Sequence, residues 1–477
     1  MPKTPYHLAN KAVMQKLKVP IIYASIIIFA GVLLASVGFN RDQVISSSIF
    51  LVIVCGTLFY WKFRLTFAFA GLAALLAANL LDVEHLIEHA GLDIILFLVG
   101  MMCLVGYLEE NRFFEYLIAK AVDRIGHHAH ILMAVLMLFA AFSAALVDEV
   151  TSILFMMATM FHLTRRYGVS PIPFLLMIVF ATNIGSSATA VGNPIGVMIA
   201  LRGHLSIMDF LRWASPISLI CIAICIPLCF LLFKGALREL SSQMKHEKKE
   251  VHELAHVAYR KKDISVCWIL FLVTVGFLVA HHPLEELLGL KKNTLLLGTA
   301  LAAGSIAILL NAKNARDFFV RRVDWWTLTF FMALFASVGT LKYTGVTDRI
   351  AQGMISAARA NPVVLFTAFS GAISLLTGFM DNVLAVATFI PILSDIEKTG
   401  IFTYPLWWGM LFGGTLYGNL TVIGSTANIV AMGMLEREYD KHVTFTAWLK
   451  PGFIVSTVTL VVALLLIYAQ TPLMPRT

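Results

Sequence analysis

Two aspartates lie inside apolar stretches long enough to cross a membrane, at matching places in two copies of one motif. They are Asp148 in SAALVDEVTSILF and Asp381 in LLTGFMDNVLAVATF. An ionisable side chain at that depth is costly and by default marks a substrate or ion path. Downstream of each lies a run of glycine and small polar residues, NIGSSATAVGNPIG (183–196) and GNLTVIGSTAN (418–428). Asp148 precedes Gly192 by 44 residues and Asp381 precedes Gly424 by 43, so motif and spacing are both duplicated. Such runs break a transmembrane helix or fold it back, and unwound backbone survives there only inside protein or against a watery cavity. Its carbonyls, half-helix ends and side-chain oxygens can then hold an ion. The first half of the candidate ion-binding set is Asp148, Glu149, Asn183, Ser186, Ser187, Thr189 and Asn193. The second half is Asp381, Asn382, Asn419, Thr421, Ser425, Thr426 and Asn428. Close helix packing explains one small-residue run as well as ion binding does, but two matched runs favour binding.

Asp148 and Glu149 are neighbours, so on a helix their side chains point about 100° apart and cannot both face one site squarely. Two adjacent carboxylates in a low-dielectric setting compete for one proton, which suits proton coupling. The bland role for Glu149 is to pair with a basic residue on a neighbouring helix. In the second half the neighbour is the neutral Asn382, which leaves Asp381 as the constant charge. Thr151 and Ser152, one turn on, can add oxygens.

The elements that must carry these residues are membrane helices. Of 477 residues, 59% are apolar and 13% charged, a balance foreign to soluble domains. Apolar runs at 20–39, 45–61, 65–81, 91–108, 211–233, 265–280, 293–310, 326–341 and 453–469 are each near the ~20 residues that span a hydrocarbon core. The net charge of +8 sits in short loops and does not suggest nucleic acid. There it sets orientation and meets anionic lipid. The six cysteines lie in or beside apolar spans and suggest no disulfides. The first run follows a basic tail and is too long for a signal-peptide core, so it reads as a retained helix.

Lys and Arg mark cytoplasmic loops, which puts the N-terminus, the Lys62 and Arg64 loop and the charged segment 235–263 inside. FLVGMMCLVGYL (97–108) aligns with FFMALFASVGTL (330–341) at the same offset that relates Asp148 to Asp381. By the loop count these helices cross in opposite directions. The fold class is therefore an all-α polytopic membrane protein of two inverted-topology repeats with broken helices or re-entrant hairpins. The divisions are a basic tail and scaffold helices (1–90), a first repeat (91–234), a cytoplasmic linker (235–263), further scaffold helices (264–322) and a second repeat (323–477).

Four features look like chemistry and read better as structure. His252-Glu253-Leu254-Ala255-His256 spells the zinc-protease signature, but in a linker with no domain to supply a third ligand. Cys221, Cys225 and Cys229 form a helical stripe, read as packing rather than thiolate chemistry. His127, His128 and His130 read as a wet cytoplasmic rim, and Trp325, Trp326, Trp407 and Trp408 as interface anchors. No metal site is expected.

These residues resemble the ion transporter superfamily, and most closely its branch of arsenite pumps, sodium–proton antiporters and the melanosomal P protein. MDNV (380–383), GNLTVIGSTAN (418–428) and VDWWTLTFF (323–331) carry the match, which covers about residues 90–470. The first half departs from the family pattern. Asp148-Glu149 stands where the branch has Asp-Asn, and Gly192-Asn193-Pro194-Ile195 where it has G-D-P-P. The resemblance implies two re-entrant hairpins, a homodimer and a transport domain that slides.

The first functional reading is exchange of a small cation such as sodium for protons, because carboxylate, amide and hydroxyl oxygens form a hard set. H+ is the coupling ion, with Na+ beside it, and no other cofactor is implied. The alternatives are transport of a small oxyacid such as arsenite or silicate, and sodium-coupled carboxylate symport. An enzyme is not expected: an intramembrane aspartyl protease needs YD and GxGD settings, and VDE and MDN match neither. The partners are a small inorganic ion, the lipid bilayer and a second copy of the chain.

Overall fold

Apolar backbone can satisfy its own hydrogen bonds in a bilayer as helix, and these long uncharged runs form helices. The computed structural model describes residues 22–122, 128–246, 261–359 and 361–475, and among them there is no strand. In chain order the helices are α1 (Ile22–Ser36), α2 (Arg41–Phe59), α3 (Arg64–Ala77), α4 (Val83–His89), α5 (Leu92–Glu110), α6 (Phe113–Val122) and α7 (Ala129–Leu146). They continue as α8 (Glu149–Arg166), α9 (Ile172–Ser186), α10 (Pro194–Arg202), α11 (Ile207–Leu232) and α12 (Lys234–His246). Next come α13 (Lys261–Leu288), α14 (Thr294–Leu310), α15 (Ala315–Arg322), α16 (Trp325–Tyr343) and α17 (Val346–Ala357). The last are α18 (Pro362–Phe379), α19 (Asn382–Glu397), α20 (Tyr404–Leu416), α21 (Thr426–Tyr439) and α22 (Phe445–Gln470). Seven helices among the described residues are long and apolar enough to cross a membrane, or eight if the bent pair α14 and α15 counts as one span.

The duplication extends to the helix ends. α5 and α7 recur as α16 and α18 with both ends shifted by the offset that relates the two aspartates, and the starts of α6 and α8 recur at those of α17 and α19. The starts of α9 and α10 recur within one residue of that shift at α20 and α21.

α7 and α8 form an antiparallel hairpin rather than one kinked span. Phe139 and Phe155 bring their ring centres within 6.4 Å, and the hydroxyls of Ser143 and Ser152 lie 2.6 Å apart. α18 and α19 repeat this, with Phe369 and Phe389 at 5.3 Å. The hairpin tips are Val147–Asp148 and Met380–Asp381. The helices that follow are interrupted, α9 from α10 by residues 187–193 and α20 from α21 by residues 417–425.

Packing sorts the helices into two bodies. The hairpins, the interrupted helices, α11 and α22 pack on one another and form the body that carries the site. The other helices form a frame against it, in which α5 packs on α14 and α16 on α3, so each half's helix is held by the other half's scaffold. In a bilayer such crossings rest on close approach rather than on a hydrophobic gain. α5 and α14 meet at Gly100 and Gly304, where a β-carbon on Gly100 would stand 2.3 Å from the Ala300 carbonyl oxygen. α5 and α16 run antiparallel. Arg322, just before α16, pairs with Glu109 at the end of α5 (2.7 Å), while Asp93 at the start of α5 and Lys342 at the end of α16 line one cavity.

Two expectations are corrected by burial. Arg64 is not a loop cation but the first residue of α3, 6% exposed, and Trp407 and Trp408 are buried rather than interfacial. Helix-to-helix packing inside the body claims the tryptophans, which sit on a helix buried along its whole length. Trp325 and Trp326 do face outward, and His128 and His130 are exposed. His127 and the His252–His256 segment lie outside the described residues.

Candidate functional site

Four helices begin at one place, and a predicted site residue caps each. Asp148 accepts from the backbone N–H groups of Val150 (2.8 Å) and Thr151 (2.9 Å) at the start of α8. Asp381 accepts from Val383 N–H (3.1 Å) at the start of α19. Asn193 accepts from Gly196 N–H (2.7 Å) at α10, where Pro194 opens the helix, and Ser425 from Ala427 N–H (3.2 Å) at α21. Asp, Asn and Ser are the residue types that satisfy the free donors of a first turn. The positive end of a helix also favours a carboxylate, by about 0.3–1 kcal/mol. That explains how aspartates are carried at this depth: each lies on a helix start rather than bare in an apolar span.

Glu149 is the centre. It is 1% exposed, and its carboxylate accepts from Ser186 Oγ (3.1 Å), Ser425 Oγ (3.2 Å) and Asn382 Nδ2 (3.4 Å). Glu149 and Asn382 hold equivalent places in the two repeats, so the hairpin tips meet across this bond. The partners are hydroxyls and an amide, not the basic side chain that the bland reading supplied. Around them runs an amide network in which Asn183 Nδ2 donates to Asn419 Oδ1 (2.7 Å) and Asn428 Oδ1 (2.8 Å). Ser425 Oγ lies 3.2 Å from Asn183 Oδ1, Asn193 Nδ2 donates to Ser186 Oγ (2.8 Å), and Thr426 Oγ1 donates to Asp381 Oδ2 (2.9 Å). Asn428 Nδ2 reaches the carbonyls of Gly418 and Thr421, both at 2.8 Å.

Three predicted residues do other work. Thr189 Oγ1 donates to the Ala145 carbonyl and Thr421 Oγ1 to that of Gly378 (2.7 Å), each pinning an interrupted segment to the first helix of its hairpin. Ser187 turns away to Ser218 Oγ (2.9 Å). Of the neighbouring acids, Glu149 rather than Asp148 enters the network; Asp148 stays partly exposed on a cavity wall. Ser152 adds no oxygen to the site, since it bonds Ser143 and the Ala140 carbonyl.

A cavity of about 430 Å³ opens onto Asp148, Glu149, Asn193 and Thr426. Its wall also carries Arg64, which the loop reading missed. Arg64 Nη2 donates to Thr327 Oγ1 (2.6 Å), its guanidinium lies 4.2 Å from the centre of the Trp61 ring, and its Nε has no hydrogen-bond partner. The available signal was its place at the head of the apolar stretch RLTFAFAGLA, where a topogenic cation would be expected to stand clear of the helix. A second cavity of about 560 Å³ lies at the other ends of α5 and α16. Phe335, Lys342 and Ala387 line it where Met102, Glu109 and Leu154 line the first, each pair related by the offset of the repeat. The two cavities lie at repeat-related places.

Gly192 and Gly424 let the interrupted segments fold against their hairpins. A β-carbon on Gly192 would stand 2.3 Å from the Ser186 carbonyl oxygen and 2.9 Å from that of Ala144. On Gly424 it would meet the Gly418 oxygen at 2.6 Å and that of Thr377 at 3.0 Å. Main chain cannot yield as a side chain does, and overpacking costs typically about 1–3 kcal/mol. Gly192→Ala and Gly424→Ala are therefore each expected to lower the melting temperature of the purified protein by several degrees. A wild-type melting curve for both would mean the segments are not held this closely.

Residues 49–413 match the citrate transporter family, CitMHS. An uncharacterized transporter of Mycobacterium tuberculosis is 28% identical over 386 residues, covering 79% of this chain and 86% of the relative. The human P protein is 26% identical, over 78% of this chain and 52% of its own length. Among solved structures, the YdaH transporter of Alcanivorax borkumensis has a TM-score of 0.59 at 14% identity, covering 85% of this chain and 89% of that one. At that identity the likeness is one of fold.

Proposed function

The chain belongs to the citrate transporter family and is a multi-pass membrane transporter, and we propose that it exchanges a small cation, sodium foremost, for protons, with Glu149 as the carboxylate that trades one for the other. The observation that carries this reading is the position of Glu149. It is buried where the two hairpins meet, within reach of hydroxyl and amide groups from both halves. Carboxylates with hydroxyl and amide oxygens form a hard-oxygen set that suits a small cation or a proton. A cation displacing the proton would draw on Glu149, Asp381 and nearby amide oxygens, while Asp148 on the cavity wall meets the ion first. The antiparallel course of α5 and α16 and the repeat-related cavities support an inverted repeat with its site near the midplane. The body then carries the site between the cavities, in a homodimer whose basic tail and linker face the cytoplasm.

A second reading, cation-coupled uptake of a small carboxylate, is favoured by Arg64 on the cavity wall. The description of the family points the same way. The helix N-termini do not add to it, because the chain's own Asp148 and Asp381 already occupy two of them. Purified protein in proteoliposomes with an imposed pH gradient distinguishes the readings. Sodium or lithium is expected to dissipate the gradient. Citrate accumulation without cation–proton exchange would replace the first reading with the second, and accumulation of arsenite alone would overturn both.

A further inference from the structure

The second cavity is crossed by an ion pair that joins the two bodies. Arg202, the last residue of α10, donates through Nη1 to Asp93 Oδ2 (2.6 Å) and through Nη2 to Asp93 Oδ1 (2.9 Å). Asp93 belongs to the frame, in the first turn of α5, where a helix start favours an acid. Arg202 belongs to the body. Its helix begins at Pro194, beside Asn193 in the central network, and nine residues of helix are about 13 Å of stiff connection. Anything that displaces the site relative to the frame must therefore pull on Arg202.

The first cavity is built differently. There Arg322 pairs with Glu109 (2.7 Å) and Glu110 (3.2 Å), so that its strongest ion pairs lie within the frame and can stay intact whatever the body does. At the place equivalent to Glu109 the second cavity has Lys342, and at that equivalent to Arg322 it has His89. The repeat is thus broken in charge, and only the second cavity has its arginine fork stretched from body to frame.

We propose that Asp93 and Arg202 form a latch that holds the body against the frame at the second cavity, and that opening this latch exposes the cavity as the opposite-face half of the transport path. The inference rests on the transporter reading above. The side chains of Arg202 and Asp93 are 37% and 39% exposed, so the pair biases the equilibrium by a few-fold rather than locking it. That scale fits a contact which must break in every cycle.

Ser394, on α19 at the wall of the second cavity, is a reporter outside the ion-binding network. With Ser394→Cys as parent in proteoliposomes, labelling by a membrane-impermeant maleimide measures how often the cavity opens. The parent without that cysteine supplies the background of the six buried thiols. Asp93→Asn and Arg202→Gln are each expected to speed labelling about two- to fivefold. The exchange Asp93→Arg with Arg202→Asp is expected to return the rate at least halfway to the parent. Unchanged labelling in both neutralised variants, or an exchange no slower than the single variants, overturns the latch. Ion flux measured on the same vesicles keeps the two ideas apart. Normal flux with unmoved labelling removes the latch alone, whereas absent flux with faster labelling removes the cation–proton reading and leaves the latch.

Discussion

Glu149→Gln is expected to cut cation-driven flux about a hundredfold while the protein still purifies as a folded species. The carboxylate takes its bonds from Ser186, Ser425 and Asn382, and a glutamine must turn an NH2 group toward at least one of these donors. A hydrogen bond to a charged group contributes about 1.5–3 kcal/mol, and losing one of them from the ion-loaded state is worth about one to two powers of ten. The fold should survive, because a buried carboxylate is itself costly and its removal relieves that cost. Initial rates of sodium-driven proton flux, with size-exclusion and helical circular dichroism as controls, decide the matter. Flux within threefold of wild type would remove Glu149 from the mechanism. Asp381→Asn should also lose transport with folding retained, since asparagine caps α19 as well as aspartate does but carries no charge. Asp148→Asn is expected to be the mildest of the three, because Asp148 stands on the cavity wall outside the network.

Asn183→Ala is expected to lower stability by about 2–4 kcal/mol, the largest such effect of any single site residue. Asn183 is 1% exposed, and its amide donates to two carbonyl oxygens while its own oxygen lies within reach of Ser425. Truncation leaves the side-chain oxygens of Asn419 and Asn428 buried without that donor, and each unsatisfied group costs about 1–3 kcal/mol. It also weakens the tie between α9 and the second half, since these bonds join one half to the other. Thermal unfolding followed by circular dichroism in detergent should show the loss as an earlier, broader transition. An unshifted transition would show that water replaces the amide and that the network is not structural.

The duplicated aspartates, the matched glycine-polar runs and the single offset between the halves were legible in the residues themselves, and the helix ends obey that offset closely. They were legible because a bilayer leaves so few choices. An apolar run must be helix, a glycine-rich polar run must be an interruption, and an acid between them must have a reason to be there. Which acid faces the centre was not legible. Asp148 and Glu149 are adjacent, and the choice depended on where the α8 helix starts: Asp148 became its cap and Glu149 its first helical residue, turned inward. Arg64 was misplaced for a related reason. A cation at the edge of an apolar run marks a loop or a buried partner with equal ease, and only the approach of α16 with Thr327 chose the second. The same holds for the tryptophans at 407 and 408, which local sequence places at an interface and packing places inside the body. Local chemistry therefore determined the elements and their duplication. The roles of individual side chains were decided by which helix faces meet, and those contacts join residues far apart in the chain, one from each half.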